Sequence, residues 1–223
     1  MHIPDGFIDI KTSAAFAAAS ALAVAGAVKG ARRQLSEQSA PLAGLTAVFI
    51  FAVQMLNFPV AAGTSGHLIG AALAMVLVGP YAATLALVVV LIIQAFLFAD
   101  GGLTALGLSI FNMAVISVWV SFAVFMLLKK IFPKTKSWLV IATFVSALIS
   151  VPAAAVGFVI QYAIGANATF SVDAVLNAMV GTHILIGIGE AIITALTVSA
   201  VLASRSDLVF GWDKKNTTLE IRS

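Results

Sequence analysis

Cysteine is absent from this chain, which excludes disulfides and thiolate metal sites together. Charge is the next scarcity. Asp, Glu, Lys and Arg make up 9% of residues, against roughly a quarter in a soluble domain. From Pro41 to Leu128 the only formal charge is Asp100. With 61% hydrophobic residues, the chain lacks the polar surface of a water-soluble protein. No Gly-x-x-x-x-Gly-Lys-Ser/Thr loop occurs, so ATP is not used by that route, and no His-Glu-x-x-His occurs, which disfavours a zinc protease. The net charge of +3 does not indicate nucleic-acid binding, because the basic residues sit in loops, where they report membrane topology.

Several apolar runs reach the roughly 20 residues needed to cross a bilayer. The expected architecture is an all-α, polytopic membrane helix bundle. Seven crossings are read, over about 12–29, 42–59, 68–78, 81–99, 103–128, 138–162 and 182–203, with Pro152 kinking the sixth. Arg32, Arg33, Gln34 and Glu37 are read as one polar loop, Lys129, Lys130, Lys134 and Lys136 as a basic loop, and 165–177 as a polar loop. The segment 68–78 is the weak crossing, since eleven helical residues cover only about 17 Å. The positive-inside rule favours keeping it. Seven crossings place the Arg32 loop, the lysine loop and the basic tail together in the cytoplasm, with the N-terminus outside. The expected organisation is a single integral membrane domain, 1–223: an outer metal-binding segment 1–11, the bundle 12–204 and a cytoplasmic tail 205–223.

Histidine is rare too, with three in the chain. This topology puts His2, His67 and His183 on the outer side. The opening Met-His-Ile-Pro-Asp-Gly lacks the basic and apolar regions of a signal peptide, so the α-amino group is expected to remain at Met1. A free amine, the His2 amide nitrogen and His2 Nδ1 close two fused chelate rings on one ion. A nitrogen from His67, in Gly63-Thr-Ser-Gly-His67, completes a square. Four in-plane nitrogens, one a deprotonated amide, favour Ni²⁺ or Cu²⁺ over tetrahedral Zn²⁺. Pro4 disfavours helix at Ile3 and stiffens the segment.

Plainer readings stand beside each of these. N-termini mostly fray, and His67 can be an ordinary hydrogen-bonded loop histidine. His183 reads better as a supporting or interfacial residue than as a ligand, and Asp100-Gly-Gly as a turn. Glu190 is the one acid inside an apolar helix, seven residues after His183 and on the same face. It is expected to support the site or lock a helix. Asn57, placed at the outer end of its helix, Ser65 and Asp100 complete the surrounding set, whereas Gln54, Gln94 and Asn112 serve equally well as interhelical hydrogen-bonding residues. The alanine-rich first crossing packs within the bundle or docks another membrane subunit.

The motifs Met1-His-Ile-Pro-Asp-Gly, Asn57-Phe-Pro-Val-x-x-Gly-Thr-Ser-Gly-His-Leu, Asp100-Gly-Gly-Leu-Thr-Ala-Leu-Gly with Phe111-Asn-Met, and His183-x-x-Ile-Gly-Ile-Gly-Glu190 resemble the NikM/CbiM family. These are the substrate-binding S components of energy-coupling factor transporters for nickel and cobalt. The resemblance covers the whole membrane portion. It implies capture of Ni²⁺ as transported substrate by the Met1 amine, the His2 amide and ring, and His67, with Co²⁺ the alternative cargo. It also implies a transmembrane coupling subunit, cytoplasmic ATPase subunits, a small accessory membrane subunit, and a bacterial or archaeal plasma membrane. The opening motif looks like the nickel members. Two other classes are weighed. A stand-alone channel or carrier needs a polar pore or coupling residues, and only Glu190 offers one. A metalloenzyme needs an open coordination position and a general base.

Overall fold

The computed structural model describes residues 1–34, 39–60 and 64–212, with the side chains at 34, 39, 58, 59, 64 and 65 outside that description. The elements run α1 (Ile10–Gln34), α2 (Ser39–Gln54), a hairpin of β1 (Phe58–Val60) and β2 (Thr64–Gly66), then α3 (Ala71–Val78) and α4 (Pro80–Leu97). They continue through α5 (Leu106–Ile131), which contains a π-helical turn at Phe111–Ile116, α6 (Lys136–Gly165) and α7 (Val172–Ser204). Among the described residues, α1, α4, α5, α6 and α7 are the five helices long and apolar enough to cross a membrane. The protein is a multi-pass membrane protein.

α7 shows why the bundle holds together. Val175, Met179, His183, Glu190, Thr194, Val198 and Leu202 form one buried stripe at helical spacing, while Ile184, Leu185, Ile188, Ile192 and Leu196 are exposed. The apolar outer face suits lipid, and every polar exception on the inner stripe needs a partner. On α1 the small residues are used for packing. A Cβ added at Gly107 of α5 would lie 2.4 Å from Ala17 Cα, so glycine is required where the two backbones meet. Ser20 Oγ donates to the Gly107 carbonyl at 2.7 Å. Ala14, Ala18, Ala21 and Ala25 face outward.

Several sequence expectations need correction. α2 ends at Gln54 rather than near Pro59, and Phe58, the residue that the proline keeps out of helix, already lies in β1. Asn57 therefore lies beyond the helix. The run 68–78 yields only the eight residues of α3, all buried, rising about 12 Å against a hydrocarbon core of about 30 Å. Gly79 (φ 82°) and Pro80 break it from α4. Arg32 and Arg33 belong to the last turn of α1, and Lys129 and Lys130 to the last turn of α5, where cations complement the helix dipole. The last helix starts at Val172, ten residues earlier than read. Ser171 Oγ caps it by accepting from Ala174 N at 3.2 Å. Asp173 and Asn177 point outward while Val175 and Met179 point in, so this polar stretch is one amphipathic turn rather than a loop. Pro152 sits inside the continuous helix α6. Glu37, residues 61–63 and the tail beyond Trp212 lie outside the described residues.

Candidate metal centre

The first nine residues form a strap inserted into the mouth of the bundle. Met1 and Ile3 are fully buried, and His2 is 4% exposed. The strap is tied on both sides. Ile3 N donates to Ser109 Oγ at 3.3 Å, and the Ile3 carbonyl accepts from Gly102 N at 2.8 Å. Asp5 accepts from Thr104 N (2.8 Å), from Leu103 N (3.3 Å) and from the Thr104 hydroxyl. The Thr104 hydroxyl is the main reason its carboxyl lies below the usual range. Phe7 packs its ring 5.0 Å from Tyr162 and 5.9 Å from Phe158. Asp9 N donates to the Gly165 carbonyl at 2.8 Å, and the Asp9 carboxylate caps α1 by accepting from Lys11 N and Thr12 N. The glycines at 101 and 102 permit this closeness. Gly101 holds φ 89°, and a Cβ there would lie 3.0 Å from His2 Nδ1. A Cβ on Gly102 would lie 2.4 Å from Asp5 N.

The strap delivers His2 to His67, which directly follows β2. Their ring centroids are 4.9 Å apart. His67 Nδ1 is 2.8 Å from the Leu68 carbonyl. A carbonyl only accepts, so Nδ1 carries the proton and Nε2 the lone pair. The same logic applies to His183, whose Nδ1 is 2.7 Å from the Met179 carbonyl. Nε2 of His2, His67 and His183 are all buried without a hydrogen-bond partner. Burial pushes the Met1 amine down to about 4, opposed by Asp100, and the His2 imidazole down to about 3, assisted by the amine. Burial, then the neighbouring Met1 amine, His2 and His183, holds His67 well below its ordinary value. At neutral pH these nitrogens are therefore unprotonated, the form a metal requires.

The surrounding residues fall into a connected set. Asp100 Oδ2 lies 3.5 Å from His2 Nε2 and accepts from Asn57 Nδ2 at 3.2 Å. Burial raises its carboxyl, opposed by the amine and Asn57. Glu190 reaches from α7 to accept from Ile69 N at 2.6 Å and Gly70 N at 3.0 Å, clamping the segment that follows His67. Gln54 Nε2 donates to the Ile69 carbonyl at 2.7 Å, and Gln94 Nε2 donates to Gln54 Oε1 at 3.0 Å. Asn112 instead pairs with Gln161 at 2.7 Å. The Ser65 side chain lies outside the described part. Sequence reasoning missed Ser109, the Asp5 clamp and Asn167, whose Nδ2 donates to the Gly6 carbonyl at 3.0 Å. Pro4-Asp5-Gly6 carried a turn signal, but Ser109 and Asn167 carried none. Among the described residues, no three His, Asp or Glu side chains converge to hold an ion by themselves.

Lone-pair nitrogens, dry and unpartnered, at the mouth of a multi-pass helical bundle suit a membrane carrier of a transition-metal ion. Residues 2–208 match the model of the CbiM family, described as the cobalt uptake substrate-specific transmembrane region. A putative metal transport protein of Haloquadratum walsbyi is 39% identical over 94% of both chains. A putative fused nickel transport protein, NikMN, of Archaeoglobus fulgidus is 39% identical over 94% of this chain and 68% of its own length. The crystal structure of a truncated transition metal transporter superposes with TM-score 0.83 at 31% identity, covering 91% of this chain and 99% of that one. The chain belongs to the CbiM family and is a membrane component of nickel or cobalt transport.

Proposed function

We propose that this chain captures Ni²⁺ from outside the cell as the S component of an energy-coupling factor transporter. The Met1 amine, the His2 amide nitrogen and His2 Nδ1 bind in one plane, and His67 Nε2 closes the square. The observation that carries this reading is the dry Nε2 of His67, fixed by the Leu68 carbonyl and 4.9 Å, ring to ring, from His2. With Nδ1 on the ion, His2 Nε2 bears the proton and faces Asp100, the carboxylate–histidine–metal arrangement that orients a ligand. Glu190 acts on His67 through the backbone of Ile69 and Gly70. Seven crossings, with the N-terminus outside and the C-terminus in the cytoplasm, agree with the basic ends of α1 and α5. In that count α3 is a short crossing of its own, buried within the protein. A transmembrane coupling subunit, ATPases and a small accessory subunit supply the energy that reorients the bundle.

Cobalt is the second reading, favoured by the family description. The donor set argues for nickel, because a planar four-nitrogen field with an amidate suits Ni²⁺ better than it suits an ion that prefers six ligands. The test is metal titration of purified protein with and without one extra residue ahead of Met1. Extension leaves both imidazoles intact and moves the amine. A loss of affinity of at least 100-fold is expected, and unchanged affinity refutes the chelate.

A further inference from the structure

Among the proposed capture ligands, three of the four donors ride on the strap. When the strap withdraws, the amine, amide and His2 ring leave together, and the His2 amide takes back a proton. The ion then keeps only His67 from the bundle. A single imidazole does not hold a divalent ion against water, so inward passage requires a second nitrogen within the bundle. One is present. His183 is fully buried, its Nδ1–H is spent on the Met179 carbonyl, and its Nε2 lone pair has no partner. Like the Nε2 of His67, it is buried in the interior with no protein group to bond.

α7 also ties His183 mechanically to His67. His183 and Glu190 are seven residues apart on one buried stripe, and Glu190 grips the amides of Ile69 and Gly70. One helix thus carries both the clamp on the His67 segment and the free nitrogen. We infer that His183 Nε2 is a relay ligand, pairing with His67 to hold the ion after the N-terminal donors have left and before release to the cytoplasm. This role rests on the capture reading above and adds a second, weaker site of two bundle imidazoles completed by water.

The experiment uses seven full-length proteins in lipid nanodiscs: the unmodified chain, His67→Ala, His183→Ala, His183→Asn, the chain with one residue added ahead of Met1, and that extended chain with His183→Ala or with His183→Asn. Each is titrated with Ni²⁺ and its visible absorption recorded. His183→Ala alone is expected to change affinity by less than threefold and to leave the planar Ni²⁺ band in place. The extended chain should retain a weak, six-coordinate site, and His183→Ala within it should weaken that site at least tenfold. An extended chain that binds equally with and without His183 overturns the relay. So does a single His183→Ala loss as large as that of His67→Ala, which would make His183 a capture ligand. If extension leaves affinity and spectrum untouched, the strap chelate itself is wrong and the relay falls with it. His183→Asn, which keeps an N–H for the Met179 carbonyl, must reproduce the His183→Ala results.

Discussion

The number of protons released on binding tests whether the empty site is already docked and dry. In water, an amine near 8.0 and two imidazoles near 6.5 would still hold about 0.9 and about 0.25 proton each at pH 7. Binding Ni²⁺ through them, and through a deprotonated amide, would then expel between about two and two and a half protons. In the folded site the amine lies near 4 and the His2 ring near 3, with His67 also well below its ordinary value. All three are neutral at pH 7, so only the amide proton is released, about one per ion. The sign follows: apparent affinity should rise about tenfold per pH unit between pH 5 and 8. The dependence should steepen below pH 4, where the amine begins to compete. Calorimetric titration in buffers of different ionisation enthalpy reads the count directly. A value of two or more at pH 7 would show that the amine and rings sit in water before the ion arrives, and the buried-ligand argument would fail.

Two substitutions probe the scaffold. Glu190→Gln keeps the shape of the clamp but turns a donor NH2 toward one of the two gripped amides, Ile69 N or Gly70 N, and leaves the other on a neutral oxygen. The loss of about 2 kcal/mol typical of such a bond corresponds to a rise of roughly 30-fold in Kd. Unchanged Ni²⁺ affinity would remove Glu190 from the support of His67. Gly102→Ala places a Cβ 2.4 Å from Asp5 N, so the strap must move. Affinity should fall at least tenfold, and hydrogen exchange over residues 1–9 should accelerate while the helices stay protected. Native protection of the strap would refute the close approach.

Much of this is legible in the sequence. Continuous apolar runs of about 20 residues pointed to a helical membrane bundle, because a single such run satisfies its own backbone in lipid as a helix, whereas barrel strands are shorter and alternate. The strap was legible because Met1, Ile3 and Phe7 are apolar residues around a proline, with a motive to dock. Helix ends were less legible. At the start of the last helix the polar residues Asp173 and Asn177 fall on the outer face one turn apart, and the composition of a loop and of an amphipathic turn is the same until the phase is known. Partners across the fold were illegible. Glu190 announces that it needs one, yet its amides lie 120 and 121 residues away, and only packing brings α7 against the His67 segment. Ser109 and Asn167 give no signal because each is an ordinary polar residue until the strap lies over it.

The proposed donor arrangement also addresses how one site can hold an ion tightly and still release it. Four separate side chains on four helices would have to be pulled apart together, each against its own packing. Three donors on one nine-residue strap leave as a unit, and the strap is held by bonds of ordinary strength: Asp5 to Thr104, Asp9 to Gly165, Gly102 to Ile3. Thr104 and Gly102 lie on the loop between α4 and α5, and Gly165 is the last residue of α6, where the next loop begins and Asn167 N donates to the Phe7 carbonyl; none is in a rigid helix interior. A small change in how α4 meets α5, or α6 meets α7, therefore loosens the strap without unfolding any helix. On the proposed capture reading, control of release would lie at the two loops that grip the strap. The bonds to the ion need only be strong while all four donors are present at once.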